Sequence, residues 1–230
     1  MGICPETRLH QVLEAARVYN PDIYWLTGDF CAREPQPWAF ESLAPLLEKL
    51  NKPYILAPGN HDERAMMRAA FPDLPGSETE PILQSLEIKG RQFLVLDTRY
   101  GVMESEQVNW LEEKLKEFPY ADLIMHHPPF KMGLPFMDNN YALRDTERLH
   151  EVLFSLDRPV RVFCGHYHCA RFLQRRNVTV HLGAPTSFFI HPNAPEFVQD
   201  FHPPAYTQIE YFDDGEVRVV PVYVAEKAQS

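Results

Sequence analysis

The apolar positions of this chain follow two rhythms in turn. Leu9, Val12, Leu13 and Ala16 recur at helical spacing and predict a helix over residues 7–18. The short apolar run 23–26 reads as a strand, 37–50 as a helix kinked at Pro45, 54–57 as a strand and 63–70 as a short helix. Apolar stretches at 86–88 and 93–96 flank Lys89-Gly90 and predict a hairpin. Residues 105–118 place Val108, Leu111, Leu115 and Phe118 on one helical face, and 123–125 form a strand. Asp145 reads as the N-cap of a helix carrying Leu149, Val152, Leu153 and Leu156. A strand at 160–164 follows. The tail is β-rich: 172–174 pairs with 178–182, and 208–212 pairs with 217–224 across Asp213-Asp214-Gly215. The stretch 183–205, with five prolines, reads as a long loop of the kind that often serves function.

Strands alternating with helices, then hairpins, predict a layered α/β fold with sheet at its centre. No linker, repeat or low-complexity block interrupts the pattern, so residues 1–230 are expected to form one domain.

Composition narrows the function. The net charge of −10 disfavours binding along a nucleic-acid backbone, which needs clustered Lys and Arg. It leaves room for a small phosphoester drawn to a site whose local charge is set by metals. No apolar run reaches the roughly 20 residues a membrane helix requires. The opening residues lack a basic stretch leading into an apolar one, so a cytoplasmic location is expected. The four cysteines include no CxxC pair, and a zinc-knuckle reading has little support. Cys164 and Cys169 flank a histidine pair but are expected to be bystanders.

The chemistry collects where predicted strands end. Four apolar runs finish in polar residues of metal-ligand type: Thr27-Gly28-Asp29, Gly59-Asn60-His61-Asp62, His126-His127-Pro128-Pro129 and Gly165-His166-Tyr167-His168. In layered α/β proteins, sites form beyond the carboxyl ends of strands. Asp, Asn and His offer oxygen and nitrogen donors without thiolate, which suits manganese, iron, zinc or cobalt. A carboxylate can bridge two ions about 3.5–4 Å apart that clamp a phosphoryl group.

In this order and at these spacings, the four motifs resemble the calcineurin-like metallophosphoesterases. The nearest likeness is to the class III cyclic-nucleotide phosphodiesterases and their glycerophosphodiesterase relatives. Residues 21–187 carry it, with Met137-Asp138, Leu143-Arg144 and Ala184-Pro185-Thr186-Ser187 fitting more loosely. The resemblance implies an αββα two-sheet sandwich that hydrolyses phosphodiesters, such as cyclic nucleotides or glycerophosphodiesters, with a metal-bound hydroxide. It implies two metal ions. Asp29 bridges them, Asn60, His126 and His166 complete one shell, and His168 binds the other ion. His61 faces the leaving-group oxygen as a proton donor, Asp62 orients His61 through a hydrogen bond, and His127 lies behind the ligands. The implied partner is a small phosphoester; no residue is assigned to bind it, and a homodimer is compatible.

The chain departs from the family at its start. Members normally open with an apolar strand ending in Asp-x-His, which supplies two ligands of the metal that His168 binds. No Asp-x-His precedes Asp29. The fold is therefore expected to lack its first strand, whether through a mis-chosen internal Met, which is the favoured account, through truncation or through divergence. The second ion keeps only Asp29 and His168 unless Cys4, Glu6 or His10 substitutes. The alternative to a two-metal enzyme is a mononuclear or catalytically impaired metal-binding protein.

Overall fold

The computed structural model describes residues 5–225, so Cys4 lies outside the described residues. Helix α1 (Pro5–Arg17), strand β1 (Tyr24–Leu26), α2 (Pro37–Glu48), β2 (Tyr54–Leu56) and α3 (Arg64–Ala70) come first. Then come β3 (Gln84–Ile88), β4 (Arg91–Leu96), α4 (Ser105–Glu117), β5 (Asp122–Met125), α5 (Pro135–Asn140), α6 (Glu147–Ser155) and β6 (Val160–Cys164). The tail holds β7 (Arg171–Arg175), β8 (Val178–Leu182), β9 (Phe189–Ile190), β10 (Gln199–Asp200), β11 (Ala205–Tyr211) and β12 (Val217–Tyr223).

Six strands form one sheet in the order β3-β4-β5-β6-β8-β7. Its centre, β4 to β8, is parallel, and hairpins β3–β4 and β7–β8 close its two edges. β1 and β2 pair in parallel as a separate ladder, and β11 and β12 pair as an antiparallel one.

Alternation of side chains along the strands shows how these ladders stack. Tyr24 and Leu26 of β1, with Leu56 of β2, pack against Phe40, Leu43, Leu47 and Met67 of α2 and α3 and against Leu13 of α1. The intervening Trp25 and Ile55 face the other way and pack on Phe93, Val95 and Ile124 of the six-stranded sheet. Leu94, Leu96, Leu123 and Met125 point from that sheet's far face into a core closed by Leu111 of α4 and Leu149 and Leu153 of α6. Helices, sheet, sheet and helices therefore follow one another, the αββα order expected. Strand β11 extends the first sheet layer: Tyr206 packs with the α1–α3 core and Tyr211 with the inter-sheet core. Between β1–β2 and β11–β12 no hydrogen-bonded strand lies among the described residues.

One local expectation needs correction, and two stretches without predicted elements hold short ones. Asp145 does not cap α6: its backbone is left-handed (φ 55°), Thr146 occupies the cap, and no side chain bonds there. The stretch between Phe130 and Leu143 contains α5, too short to show helical periodicity. It starts on Pro135, whose fixed φ suits a first turn. The 183–205 loop is pinned by the short β9–β10 ladder. Elsewhere the elements fall where the pattern placed them, and α2 continues through Pro45.

Candidate metal centre

The four motif loops leave the carboxyl ends of β1, β2, β5 and β6. The first two strands belong to one sheet layer and the last two to the other, so the loops meet at the seam between layers.

Backbone geometry brings them close. Gly28 has φ +97°, and a Cβ there would lie 2.4 Å from the Gly59 nitrogen and 2.8 Å from His126 Nδ1. A Cβ on Gly59 would lie 2.3 Å from both the nitrogen and Oδ1 of Asp29. The first two loops thus touch glycine to glycine, at a separation no side chain permits. Asp29, His166 and His168 all sit in the left-handed region (φ 59°, 66° and 48°), an unfavourable conformation for non-glycine residues that concentrates at functional sites.

His126 is the hub. Its Nε2 lies 3.3 Å from Asp29 Oδ2, 3.2 Å from Asn60 Oδ1 and 3.1 Å from His166 Nδ1. The opposite ring nitrogens are tied to main-chain carbonyls: His126 Nδ1 to Thr27 O at 2.5 Å and His166 Nε2 to Tyr141 O at 3.0 Å. His168 Nδ1 meets Phe188 O at 2.9 Å, and His61 Nδ1 meets Arg33 O at 2.8 Å. A carbonyl only accepts, so each tethered nitrogen carries the ring proton. In the neutral imidazoles, the other nitrogen turns a lone pair inward. His126 Nε2, His166 Nδ1, a carboxylate oxygen and an amide oxygen then converge with no donor among them. Four such acceptors need a cation, and oxygen and nitrogen donors held by main-chain tethers fit a transition metal.

Electrostatics agree. Burial alone would raise Asp29, but the His126 ring and the hydrogen bond to it carry the carboxyl well below its usual range. Burial opposes a charge on His126, yet Asp29 outweighs it and raises that imidazole. A proton therefore competes for the place a metal would take. Burial, reinforced by His126, lowers His166 to about 3. His168 is lowered by burial as well.

His127 joins the cluster from behind. Its ligand atom and those of His126 and His166 lie within 4.8 Å of one another. Its backbone N–H donates to Thr98 Oγ1 at 3.1 Å, and the same hydroxyl lies 2.9 Å from its Nδ1. Burial, then His166 and His126, push its pKa well down.

Asp62 corrects an expectation. Its carboxylate does not touch His61 among the hydrogen bonds it makes. It accepts the backbone N–H groups of Asp29 (2.8 Å), Phe30 (2.8 Å), Cys31 (3.3 Å) and Gly59 (2.7 Å). Asp62 stitches two ligand loops together, while burial raises its pKa to about 6. The remaining substitutes offer little: Glu6 and His10 are exposed on α1. Among the described residues, the ligand cluster of His, Cys, Asp and Glu side chains is His126, His127 and His166. Cys164 is buried, and its thiol points to the His127 carbonyl at 3.8 Å.

The calcineurin-like phosphoesterase family model matches residues 6–170. The chain is 28% identical over 224 residues to the 3',5'-cyclic adenosine monophosphate phosphodiesterase CpdA of Escherichia coli K12, covering 94% of this chain and 80% of that protein. It is 30% identical over 175 residues to the glycerophosphodiester phosphodiesterase GpdQ of Enterobacter lignolyticus, covering 70% and 61%. The crystal structure of TT1561 from Thermus thermophilus shares the fold, with a TM-score of 0.52 at 12% identity over 84% of this chain and 92% of that one. The family model covers most of the chain, and the chain belongs to the calcineurin-like phosphoesterase family.

Proposed function

We propose that this metal-dependent phosphodiesterase acts on 3',5'-cyclic nucleotides. Family membership implies divalent metal ions. In this reading Asp29, Asn60, His126 and His166 hold one ion, and Asp29 with His168 reaches a second. The observation that carries it is the convergence of four acceptor atoms on the seam, three of them 3.1–3.3 Å from His126 Nε2. The cyclic-nucleotide assignment is supported by alignment along 94% of this chain with a relative of that name, against 70% for the glycerophosphodiesterase.

Bound ions would supply an activated water and neutralise charge on the phosphoryl group. The chain's own residues do the rest. Asn60 is exposed and His61 half-buried, so substrate can reach the seam. Arg33 O fixes His61 by its Nδ1. Its Nε2 is then presented toward the leaving-group oxygen, where the imidazolium form delivers a proton. Asp62 acts through the loops it joins rather than on substrate. Thr98 holds His127 against the ligands. The three free thiols among the described residues, Cys31, Cys164 and Cys169, suit a reducing, cytoplasmic setting. No described helix is long and apolar enough to cross a membrane.

Manganese-loaded protein should hydrolyse 3',5'-cyclic AMP. No turnover with manganese, iron, zinc or cobalt would overturn the reading. Among the described residues, the shorter donor set beside His168 favours a second reading, a mononuclear site. Metal analysis giving one ion per chain would select it, and two would select the binuclear one.

A further inference from the structure

Two large rings stand half out of the protein beside the seam. Tyr141 and Phe197 are 50% and 53% exposed. Both pack edge-on against the same ring, Phe136, at centroid distances of 5.5 and 5.8 Å. Each is also tied to a different imidazole of the metal centre. Tyr141 gives its carbonyl to His166, and its ring lies 6.5 Å edge-on from that imidazole. Phe197 meets Phe188 at 6.2 Å, and Phe188 stacks on His168 at 4.2 Å while its carbonyl holds His168 Nδ1.

These rings are held firmly. Tyr141 sits at the carboxyl end of α5, its N–H bonded to Met137 O at 2.8 Å. Phe197 lies in the loop that the β9–β10 ladder closes, just before β10, where His191 N–H reaches Val198 O at 2.8 Å. Ile190 N–H donates to His168 O at 3.0 Å, joining that ladder to the ligand loop. An apolar surface kept at the rim of a polar site has a use if the substrate brings a flat apolar group beside its phosphate. A purine face stacks on such rings, whereas a polyol gains little from them.

We propose that Tyr141 and Phe197, supported by Phe136 and Phe188, form an aromatic shelf that stacks the base of a nucleotide substrate while its phosphate lies at His166 and His168. The inference rests on the phosphodiesterase reading and deepens it: the shelf makes the enzyme prefer phosphodiesters of nucleosides over those of glycerol.

Binding separates the two claims. AMP and ribose 5-phosphate share phosphate and sugar and differ by the base. Calorimetry on the metal-loaded wild type should find AMP bound about tenfold or more tighter than ribose 5-phosphate. In Phe197→Ala and Tyr141→Ala that ratio should fall toward one, and in Tyr141→Phe it should stay, with circular dichroism and metal content confirming the fold. Equal affinities in the wild type, or an undiminished ratio in both alanine variants, would overturn the shelf. Turnover gives the second arm, as the ratio of kcat/KM for 3',5'-cyclic AMP over glycerophosphoglycerol. A fall in that ratio in the alanine variants supports the shelf, and an unchanged ratio overturns it. Failure of the wild type to turn over either diester overturns the phosphodiesterase reading, whereas the base-dependent binding ratio still decides the shelf.

Discussion

His126 Nε2 and His166 Nδ1 face each other at 3.1 Å, while their opposite nitrogens are both committed to main-chain carbonyls. Two lone pairs at that distance repel unless something positive lies between or beside them. Below its raised pKa, a proton on His126, favoured by Asp29, fills that role. Metal binding must displace it.

The sign of the pH dependence follows. The His126 pKa is raised, so the proton is present at low pH and leaves as pH rises through that raised value. Manganese affinity should therefore climb by up to about tenfold per pH unit on the acid side and level off above it. Equilibrium dialysis between pH 5 and pH 8 measures this. An affinity flat across that range would mean that no proton competes at His126.

His61 and Asp62 are neighbours with different tasks, and two variants separate them. His61→Ala should retain metal and stability but lose about 10²–10⁴-fold in kcat. Asp62→Ala strips the acceptor from four backbone N–H groups. It should lower stability by about 3 kcal/mol or more and release metal. Denaturant titration alongside rate and metal assays distinguishes the pair. If Asp62→Ala lost only turnover, the stitching role would be wrong.

Gly59→Ala tests the close approach of the loops. Its Cβ would meet Asp29 Oδ1 at 2.3 Å, so the carboxylate must move. Metal affinity should drop by about 10–100-fold or more, as for other displaced ligand supports. Retention of wild-type affinity would show that the place of the Asp29 carboxylate does not depend on this glycine contact.

Away from the site, Tyr211 tests the layering. Its hydroxyl donates to buried Asp122 at 2.6 Å, and Arg161 Nε lies 2.9 Å from the same carboxylate. This ties the β11–β12 hairpin to the six-stranded sheet. Tyr211→Phe should cost about 1 kcal/mol in a denaturant titration and leave kcat unchanged. No loss of stability would mean that the Tyr211–Asp122 hydrogen bond does not help hold the hairpin.

Much of the fold and of the candidate site was legible in the chain because each of the four motif loops follows a short apolar run. The strand endings at Asp29, Asn60, His126 and His166 announce themselves as polar residues after glycine or after a buried strand. What lies behind the ligands did not show. The tethers to Thr27, Arg33, Tyr141 and Phe188 are carbonyls, which every residue possesses, so side-chain identity carries no trace of them. The family resemblance implied a side-chain partnership between Asp62 and His61, but burial with four nearby amides decides where the Asp62 oxygens go. Thr98 was within reach of sequence reasoning: it follows β4, which runs parallel to β5 and ends at the same sheet edge. The left-handed backbone at Asp29, His166 and His168 is imposed by the meeting of loops, against local preference.

Phosphodiester hydrolysis should run on metal held by Asp29, Asn60, His126 and His166. The direct measurement is the initial rate on 3',5'-cyclic AMP for one preparation, followed through chelation, dialysis and manganese repletion, with His166→Ala in parallel. The rate should vanish on chelation and return on repletion in the wild type, while the variant stays inactive throughout. Hydrolysis that persists in the chelated wild type, or that repletion restores fully in His166→Ala, would contradict it.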